Sequence, residues 1–179
     1  GAINRGPFLE ALNWAVVYQL PVLFVCEDNR ISATTDSRTM TAGPGASARA
    51  AALGIAAMQV DGTDVQAVSE AAATLIGEVR AGHGPRLLHA ITDRHKGHVS
   101  VDPASYRKPE DVAAALARDG IARTRAQLVA QGHGAQVQQI EREAQAEIDA
   151  AVAAASAAPP PEPGAAYTDS QTVGAGVWA

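Results

Sequence analysis

The sequence predicts an α/β fold, in which a parallel sheet is flanked by helices and followed by a C-terminal helical extension. Segments with apolar residues at helical spacing alternate with short apolar runs, which is typical of βαβ units. The run at residues 22–26 is continuously apolar, as strands buried on both faces of a parallel sheet are. Beyond residue 108 only helical patterns remain, and they predict the extension.

The first helix is predicted to begin at Pro7, because proline suits the first turn of a helix, and to end before Pro21. Its apolar residues surround most of the helix, so we expect it to be covered on more than one side. The strand at 22–26 follows and ends in a polar group. In open α/β sheets ligands bind just beyond such strand ends. The polar residues here are Glu27, Asp28, Asn29 and Arg30.

The segment 32–45 is polar and has no usable period, so we predict a long loop. A short helix at 46–53 and a short strand ending at Val60 follow. Asp64 is the predicted N-cap of an amphipathic helix, which the glycines before Pro85 end. A strand at residues 87–92 completes the alternation.

Three helices are predicted after residue 108, separated by Gly120 and by the glycines around residue 132. We divide the chain into a partial α/β domain (1–108), C-terminal helices (109–158) and a proline-rich linker with a tail (159–179). The chain starts at a glycine and enters a buried helix at once. We therefore expect further residues upstream of Gly1.

Composition excludes several classes of protein. The net charge is -5 with no long basic block, so neither nucleic acid nor an anionic membrane is expected as the main partner. No apolar run approaches the about 18 residues of a membrane-spanning helix. The single cysteine, Cys26, cannot form an internal disulfide, which suits a reducing cytoplasm. We therefore expect a cytoplasmic protein.

Two polar loops follow predicted strands and are the candidate sites. Amide and carboxylate oxygens at Asp28 and Asn29 suit a hard cation such as Mg²⁺, although the same pattern also describes an ordinary Asx turn. The second loop carries Arg94, His95, Lys96 and His98, which suit an anion. The alternative there is a solvated basic loop. Because both loops follow strands of one parallel sheet, together they predict an Mg²⁺–diphosphate site.

Other chemistries fit less well. A zinc site is disfavoured because only two histidines of the second loop lie close in sequence and the cysteine lies elsewhere. No G-x-S-x-G segment supports a Ser-His-Asp hydrolase. We interpret His83, His89 and His133 as structural.

Several spaced motifs point to one known family. They include GAINRG at residues 1–6, CEDN at 26–29, VDG at 60–62, RHKGH at 94–98 and DP at 102–103. In this order they resemble the alpha subunits of thiamine diphosphate-dependent 2-oxo-acid dehydrogenases of the pyruvate, branched-chain and acetoin type. The likeness covers nearly the whole chain. Gly1 matches the last glycine of the family's Gly-Asp-Gly motif, and the spacing to Asn29 fits.

This resemblance implies a thiamine diphosphate-binding fold that lacks its N-terminal part. It implies oxidative decarboxylation of a small 2-oxo acid, or cleavage of acetoin, with transfer of the acyl group to a lipoyl group. The implied cofactors are thiamine diphosphate and Mg²⁺. The implied partners are a beta subunit and a lipoyl-bearing acyltransferase, so the isolated chain is expected to be inactive.

The resemblance also implies roles for single residues. Asn29 would ligate Mg²⁺ through its side chain and Ile31 through its backbone carbonyl. Gly1 and Ala2 would approach the diphosphate through their backbones. Arg94 would hold a phosphate oxygen.

His98 would bind on the diphosphate side at the mouth of the site and assist reductive acylation as the catalytic residue of this chain. Asp102, Tyr106 and Arg107 would order its loop. Val99 follows His98 where animal relatives carry a regulatory serine, so that phosphorylation switch should be absent.

Two other departures leave an alternative open. Asp28 stands where many relatives have asparagine, and the motif aspartate that ligates the metal is not in this chain. The alternative is a non-catalytic piece that keeps the fold and the subunit interface but binds no cofactor. Within the enzyme class, a transketolase-like relative is disfavoured by the loop that carries His98.

Overall fold

The computed structural model describes residues 1–166 and confirms an α/β fold followed by helices. The helices are α1 (Gly6–Val17), α2 (Ala46–Ala52), α3 (Val65–Arg80), α4 (Pro109–Ala117), α5 (Gly120–Ala130) and α6 (Gly134–Ala157). The strands are β1 (Leu23–Asp28), β2 (Ile31–Ser32), β3 (Thr35–Asp36), β4 (Ala56–Asp61) and β5 (Arg86–Ile91). Short 3₁₀ helices lie at Ala2–Asn4, Ser37–Thr39 and Pro163–Ala166.

The chain forms two compact units, Gly1–Leu128 and a second that begins at Val129. The predicted boundary at residue 108 follows a change of secondary structure and remains a prediction. In the second unit, α6 leaves the apolar side chains of Ile140, Ile148 and Val152 exposed. The predicted tail from residue 167 onward lies outside the described residues.

The main sheet has three strands in the order β1-β5-β4, and they are parallel, as the alternation of elements predicted. The last strand in the chain, β5, therefore lies in the centre. Its register places His89 beside Cys26 on one side and Gln59 on the other. Because all three strands run in the same direction, their carboxyl ends meet at one edge of the sheet.

Apolar side chains pack on both faces of β5. On one face, Leu87 joins Leu12 of α1 and Ile55 in a fully buried cluster. On the other face, Leu88 packs with Leu75 and its neighbours on α3. This two-sided cover explains why β5 is the most deeply buried strand and gives the sheet a rigid centre.

Two burial expectations are wrong. The strand predicted to be buried on both faces, β1, lies at the edge of the three-stranded sheet, and Val25 is 58% exposed. On α1 only Leu12 and Ala15 are buried, and Trp14 and Tyr18 stack on each other in an exposed position. An apolar pattern shows which surface favours burial, but other elements decide whether that surface is covered.

The segment 32–45, predicted to be a featureless loop, begins with a small hairpin. β2 and β3 pair antiparallel around Ala33 and Thr34, and Ala33 adopts a positive φ of 51°. Hairpins of this kind are usually signalled by Asn-Gly or Asp-Gly, and Ala-Thr gives no such signal. The loop prediction missed the hairpin for that reason.

Polar contacts fix the ends of the helices in the first unit. The Asp64 side chain accepts hydrogen bonds from the backbone of Gln66 and Ala67, which confirms it as the N-cap of α3. Arg118 pairs with Asp61 and Asp93 at 3.2 Å and 3.0 Å. These ion pairs tie the segment after α4 to the carboxyl edge of the sheet.

No helix among residues 1–166 is long and apolar enough to cross a membrane.

Candidate functional site

A cleft of about 460 Å³ opens at the carboxyl edge of the sheet, a size that suits a cofactor or small ligand. The backbone at Gly1 and Ala2 lines one side, and the end of β1 with Asn29 and Ile31 lines another. The central strand contributes His89 to the floor. The cleft therefore contains four of the predicted site residues: Gly1, Ala2, Asn29 and Ile31.

The turn after β1 is held by its own side chains. Asp28 Oδ1 accepts a hydrogen bond from the Arg30 backbone at 2.9 Å, and Asn29 Oδ1 accepts one from the Ile31 backbone at 3.0 Å. The Asx turn considered as the alternative is thus present. It is compatible with metal binding, because an amide oxygen has a second lone pair for a cation.

Gly1 packs closely against the hairpin. A Cβ atom at this position would lie 2.3 Å from Ser32 Oγ, so a side chain cannot be accommodated without displacing Ser32. Separately, Gly1 and Ala2 line the cleft. Backbone without a side chain at Gly1 suits an anionic group bound by backbone atoms.

Two arginines that the sequence interpretation did not assign to the site line the cleft, although it named Arg30 among the polar residues after β1. Arg30 lies in the turn after β1, and Arg38 lies in the 3₁₀ helix after β3. Hydrogen bonds from the Arg38 side chain lower the pKa of Asp36 to about 2, with the two side chains 2.5 Å apart. The Asp36-x-Arg38 spacing was visible in the sequence, but its position depends on the unpredicted hairpin.

The structure places the other two predicted site residues outside the cleft. Arg94 Nη1 donates a hydrogen bond to the Ala33 carbonyl at 2.7 Å, which links the end of β5 to the hairpin. His98 is exposed on the following loop. Neither residue lines the cleft, although Arg94 contacts the hairpin that borders it.

The loop that carries His98 is organised around Asp102. This carboxylate accepts hydrogen bonds from the backbone of His98 at 2.6 Å and of Ala104 at 2.8 Å, and from the Tyr106 hydroxyl at 2.9 Å. A Cβ atom at Gly97 would lie 2.3 Å from the Asp102 carbonyl oxygen, so the loop is closed tightly there. The backbone hydrogen bond from His98 is the main reason that the Asp102 pKa is lowered.

The Asp102 contacts predict a pH dependence of loop order. Because the pKa of Asp102 in the folded protein is lowered, its carboxylate stabilises the folded loop at pH values above 3.8, the usual pKa of an aspartate. This stabilisation is lost as the pH falls through the lowered pKa. A ¹³C NMR titration of the Asp102 carboxyl should give a pKa below 3.8. A pKa at or above the usual value would contradict the proposed loop restraint.

His89 is buried, as expected for a structural histidine, but it also forms part of the cleft floor. It is 2% exposed. Its Nδ1 lies 3.0 Å from Ser47 Oγ, and its Nε2 lies 3.1 Å from Asp28 Oδ2. Beside it, burial is the main cause of the raised pKa of Cys26.

The available donors fit a magnesium–diphosphate group better than a metal held by protein alone. Among residues 1–166 no three His, Cys, Asp or Glu side chains are grouped so as to hold a metal. The cleft instead offers the Asn29 amide oxygen and the Ile31 backbone. Mg²⁺ keeps several waters and commonly combines one or two protein oxygens with phosphate oxygens, so this sparse set suits it.

Comparison with known proteins identifies the family. A family model described as dehydrogenase E1 component matches residues 1–164. The pyruvate dehydrogenase E1 component subunit alpha of Rhizobium meliloti is 36% identical over 146 residues, which are 80% of this chain and 42% of that protein. In Cupriavidus necator, the alpha subunit of acetoin:2,6-dichlorophenolindophenol oxidoreductase is 46% identical over 107 residues, which cover 60% of this chain and 32% of the relative.

A third relative is the pyruvate dehydrogenase E1 component subunit alpha of Zymomonas mobilis, which is 42% identical over 112 residues. That match covers 63% of this chain and 32% of the relative. The chain spans less than half the length of these three relatives. It belongs to the dehydrogenase E1 component family, among the alpha subunits of the pyruvate and acetoin type.

Proposed function

We propose that this chain forms the magnesium and diphosphate side of the thiamine diphosphate site in a pyruvate or acetoin dehydrogenase. The observation that carries the proposal is the cleft at the carboxyl edge, where the Asn29–Ile31 turn faces the backbone of Gly1 and Ala2. Membership of the E1 family supports the choice of cofactor. The proposed substrate is a small 2-oxo acid or acetoin.

Each residue then has a defined task. Asn29 Oδ1 and the Ile31 carbonyl hold Mg²⁺, and Gly1 and Ala2 approach the diphosphate through backbone atoms. When bound, thiamine diphosphate supplies the electron sink that decarboxylation requires. Arg94 does not line the cleft but contacts the hairpin that borders it, and it has N–H groups beyond the one that donates to Ala33; we assign one of them to a phosphate oxygen at that border.

We assign His98 to the acyl-transfer step, because its loop is exposed and lies outside the cleft. A lipoyl group on an acyltransferase can reach an exposed histidine, whereas the cleft floor is buried. There His98 orients the acceptor and moves a proton during reductive acylation. Asp102 fixes the loop through the His98 backbone.

A beta subunit is the proposed partner, since the relatives are named as alpha subunits. The exposed apolar side chains of α1, among them Leu9, Trp14, Val17 and Tyr18, supply a surface that such a partner can cover. We propose that the complex works in the cytoplasm and that the isolated chain is inactive.

The second candidate is a non-catalytic piece that keeps the fold and the interface. It applies if the Asn29 side chain and the Ile31 carbonyl are too few to hold Mg²⁺ with the diphosphate, because no cluster of three His, Cys, Asp or Glu side chains within residues 1–166 could replace them. The two candidates make opposite predictions for cofactor binding.

Calorimetric titration separates them. The full-length protein, assembled with its beta subunit, should bind thiamine diphosphate saturably in the presence of Mg²⁺. Binding should be lost with a chelator present, and thiamine without the diphosphate should bind far more weakly, because the proposed contacts are to the metal and phosphates. No saturable binding by the assembled protein would favour the non-catalytic piece and overturn the cofactor proposal.

A further inference from the structure

We propose that His89 is a positioning residue that anchors Asp28 and thereby fixes the turn that presents Asn29 and Ile31 to the cleft. The anchoring follows from contacts within this chain. The effect of this anchoring on the binding of Mg²⁺ and thiamine diphosphate rests on the proposed function. His89 would thus act on the cofactor through the turn, without touching it.

The sheet register brings His89 and Asp28 together. His89 pairs with Cys26 across the β1–β5 ladder, and Asp28 lies two residues further along β1. Residues two apart on a strand share a face, so Asp28 is the diagonal neighbour of His89. A long ring side chain spans that diagonal, and the observed separation of Nε2 and Oδ2 is 3.1 Å.

The hydrogen-bond roles follow from the chemistry of the three groups. An ionised Asp28 carboxylate can only accept, so His89 Nε2 carries the proton that it shares with Oδ2. Nδ1 of the same ring shares a second hydrogen bond with the Ser47 hydroxyl at 3.0 Å. The chain of hydrogen bonds therefore runs from Ser47 on α2, through His89 on β5, to Asp28 at the end of β1.

The same carboxylate supports the turn with its other oxygen. Asp28 Oδ1 accepts from the backbone of Arg30, which adopts a positive φ of 59°. Positive φ is unfavourable for residues other than glycine, so this conformation depends on its surroundings. If Oδ2 loses its anchor, the carboxylate rotates more freely and the Arg30 contact weakens.

The position of His89 argues against a role as a simple core residue. It is 2% exposed on a strand whose neighbours Leu87, Leu88 and Ala90 are apolar, yet both ring nitrogens have partners in separate elements. A leucine would fill the space but could form a hydrogen bond with neither Ser47 nor Asp28. A glutamine could still donate from its amide to Asp28, since its amide nitrogen lies near the position of Nε2.

Hydrogen exchange of the Arg30 and Ile31 amides tests the anchoring without any cofactor. In the full-length protein assembled with its beta subunit, His89→Leu should speed their exchange by about tenfold, and His89→Gln should restore most of the protection. His83→Leu is the matched control, since His83 is exposed and its hydrogen bonds are made by its backbone. Unchanged exchange in His89→Leu, or equal acceleration in both His89 variants, would overturn the proposal.

Titration of the same proteins with thiamine diphosphate and Mg²⁺ tests the consequence. His89→Leu should weaken the affinity by about tenfold, while His89→Gln and His83→Leu stay close to wild type. Normal affinity in His89→Leu, in a wild-type protein that binds, would refute the link to the cofactor. If wild type does not bind but His89→Leu still loosens the two amides, the proposed function fails and the anchoring role stands.

Discussion

Replacing Asn29 with alanine is expected to weaken Mg²⁺-dependent binding of thiamine diphosphate by at least about 100-fold in the assembled protein. The substitution removes the one side-chain oxygen assigned to the metal. It also removes the acceptor that holds the Ile31 backbone at 3.0 Å, so the second proposed ligand loses its support. Calorimetric titration at neutral pH measures the change.

Two variants make this result specific. Asn29→Asp keeps an oxygen in both roles and should retain much of the affinity. Asn13→Ala removes an exposed asparagine from α1 and should bind as wild type does. An Asn29→Ala protein with unchanged affinity would rule out the ligand role. Melting curves recorded without cofactor check that each variant is folded.

Replacing His98 with alanine is expected to separate the two halves of the reaction. Decarboxylation, followed with an artificial electron acceptor, should change little because His98 lies outside the cleft. Transfer to a lipoyl acceptor should fall by about 100-fold, which is typical for loss of a group that moves a proton. The two rates are measured on the same preparation of the assembled enzyme.

The ratio of the two rates decides the role of His98. His83→Ala, which alters an exposed histidine on another turn, should leave the ratio unchanged. Full activity of His98→Ala with the lipoyl acceptor would remove the assigned role. An equal loss in both assays would show that His98 acts in the decarboxylation step.

Local sequence patterns predicted the elements that depend on near neighbours. The N-cap at Asp64 and the strand after Pro85 occur close to their predicted positions, because caps and breakers act over only a few residues. The hairpin around Ala33 was missed since its turn lacks glycine or asparagine. Because the position of Arg38 depends on this hairpin, the sequence did not assign it to the site, although its ion pair with Asp36 is local.

Part of the candidate site was also predictable. Asn29 follows an apolar run, and strand ends in parallel sheets collect at one edge. The sequence thus placed the turn and the loop beyond β5 at that edge. It could not show that Arg94 contacts the Ala33 carbonyl, because that contact depends on the hairpin, or that His98 lies outside the cleft, because its position depends on how the loop closes around Asp102.

The sequence by itself determined the α/β class, the parallel direction of the strands and the polar residues that end β1. Only the tertiary structure decided that β5 lies between β1 and β4. That order exposes Val25 at the sheet edge and brings His89 to Asp28, which is 61 residues away in the chain, and to Ser47, which is 42 residues away. The physical reason is that periodicity reports each element's own apolar surface, whereas strand order and cover depend on packing between distant segments.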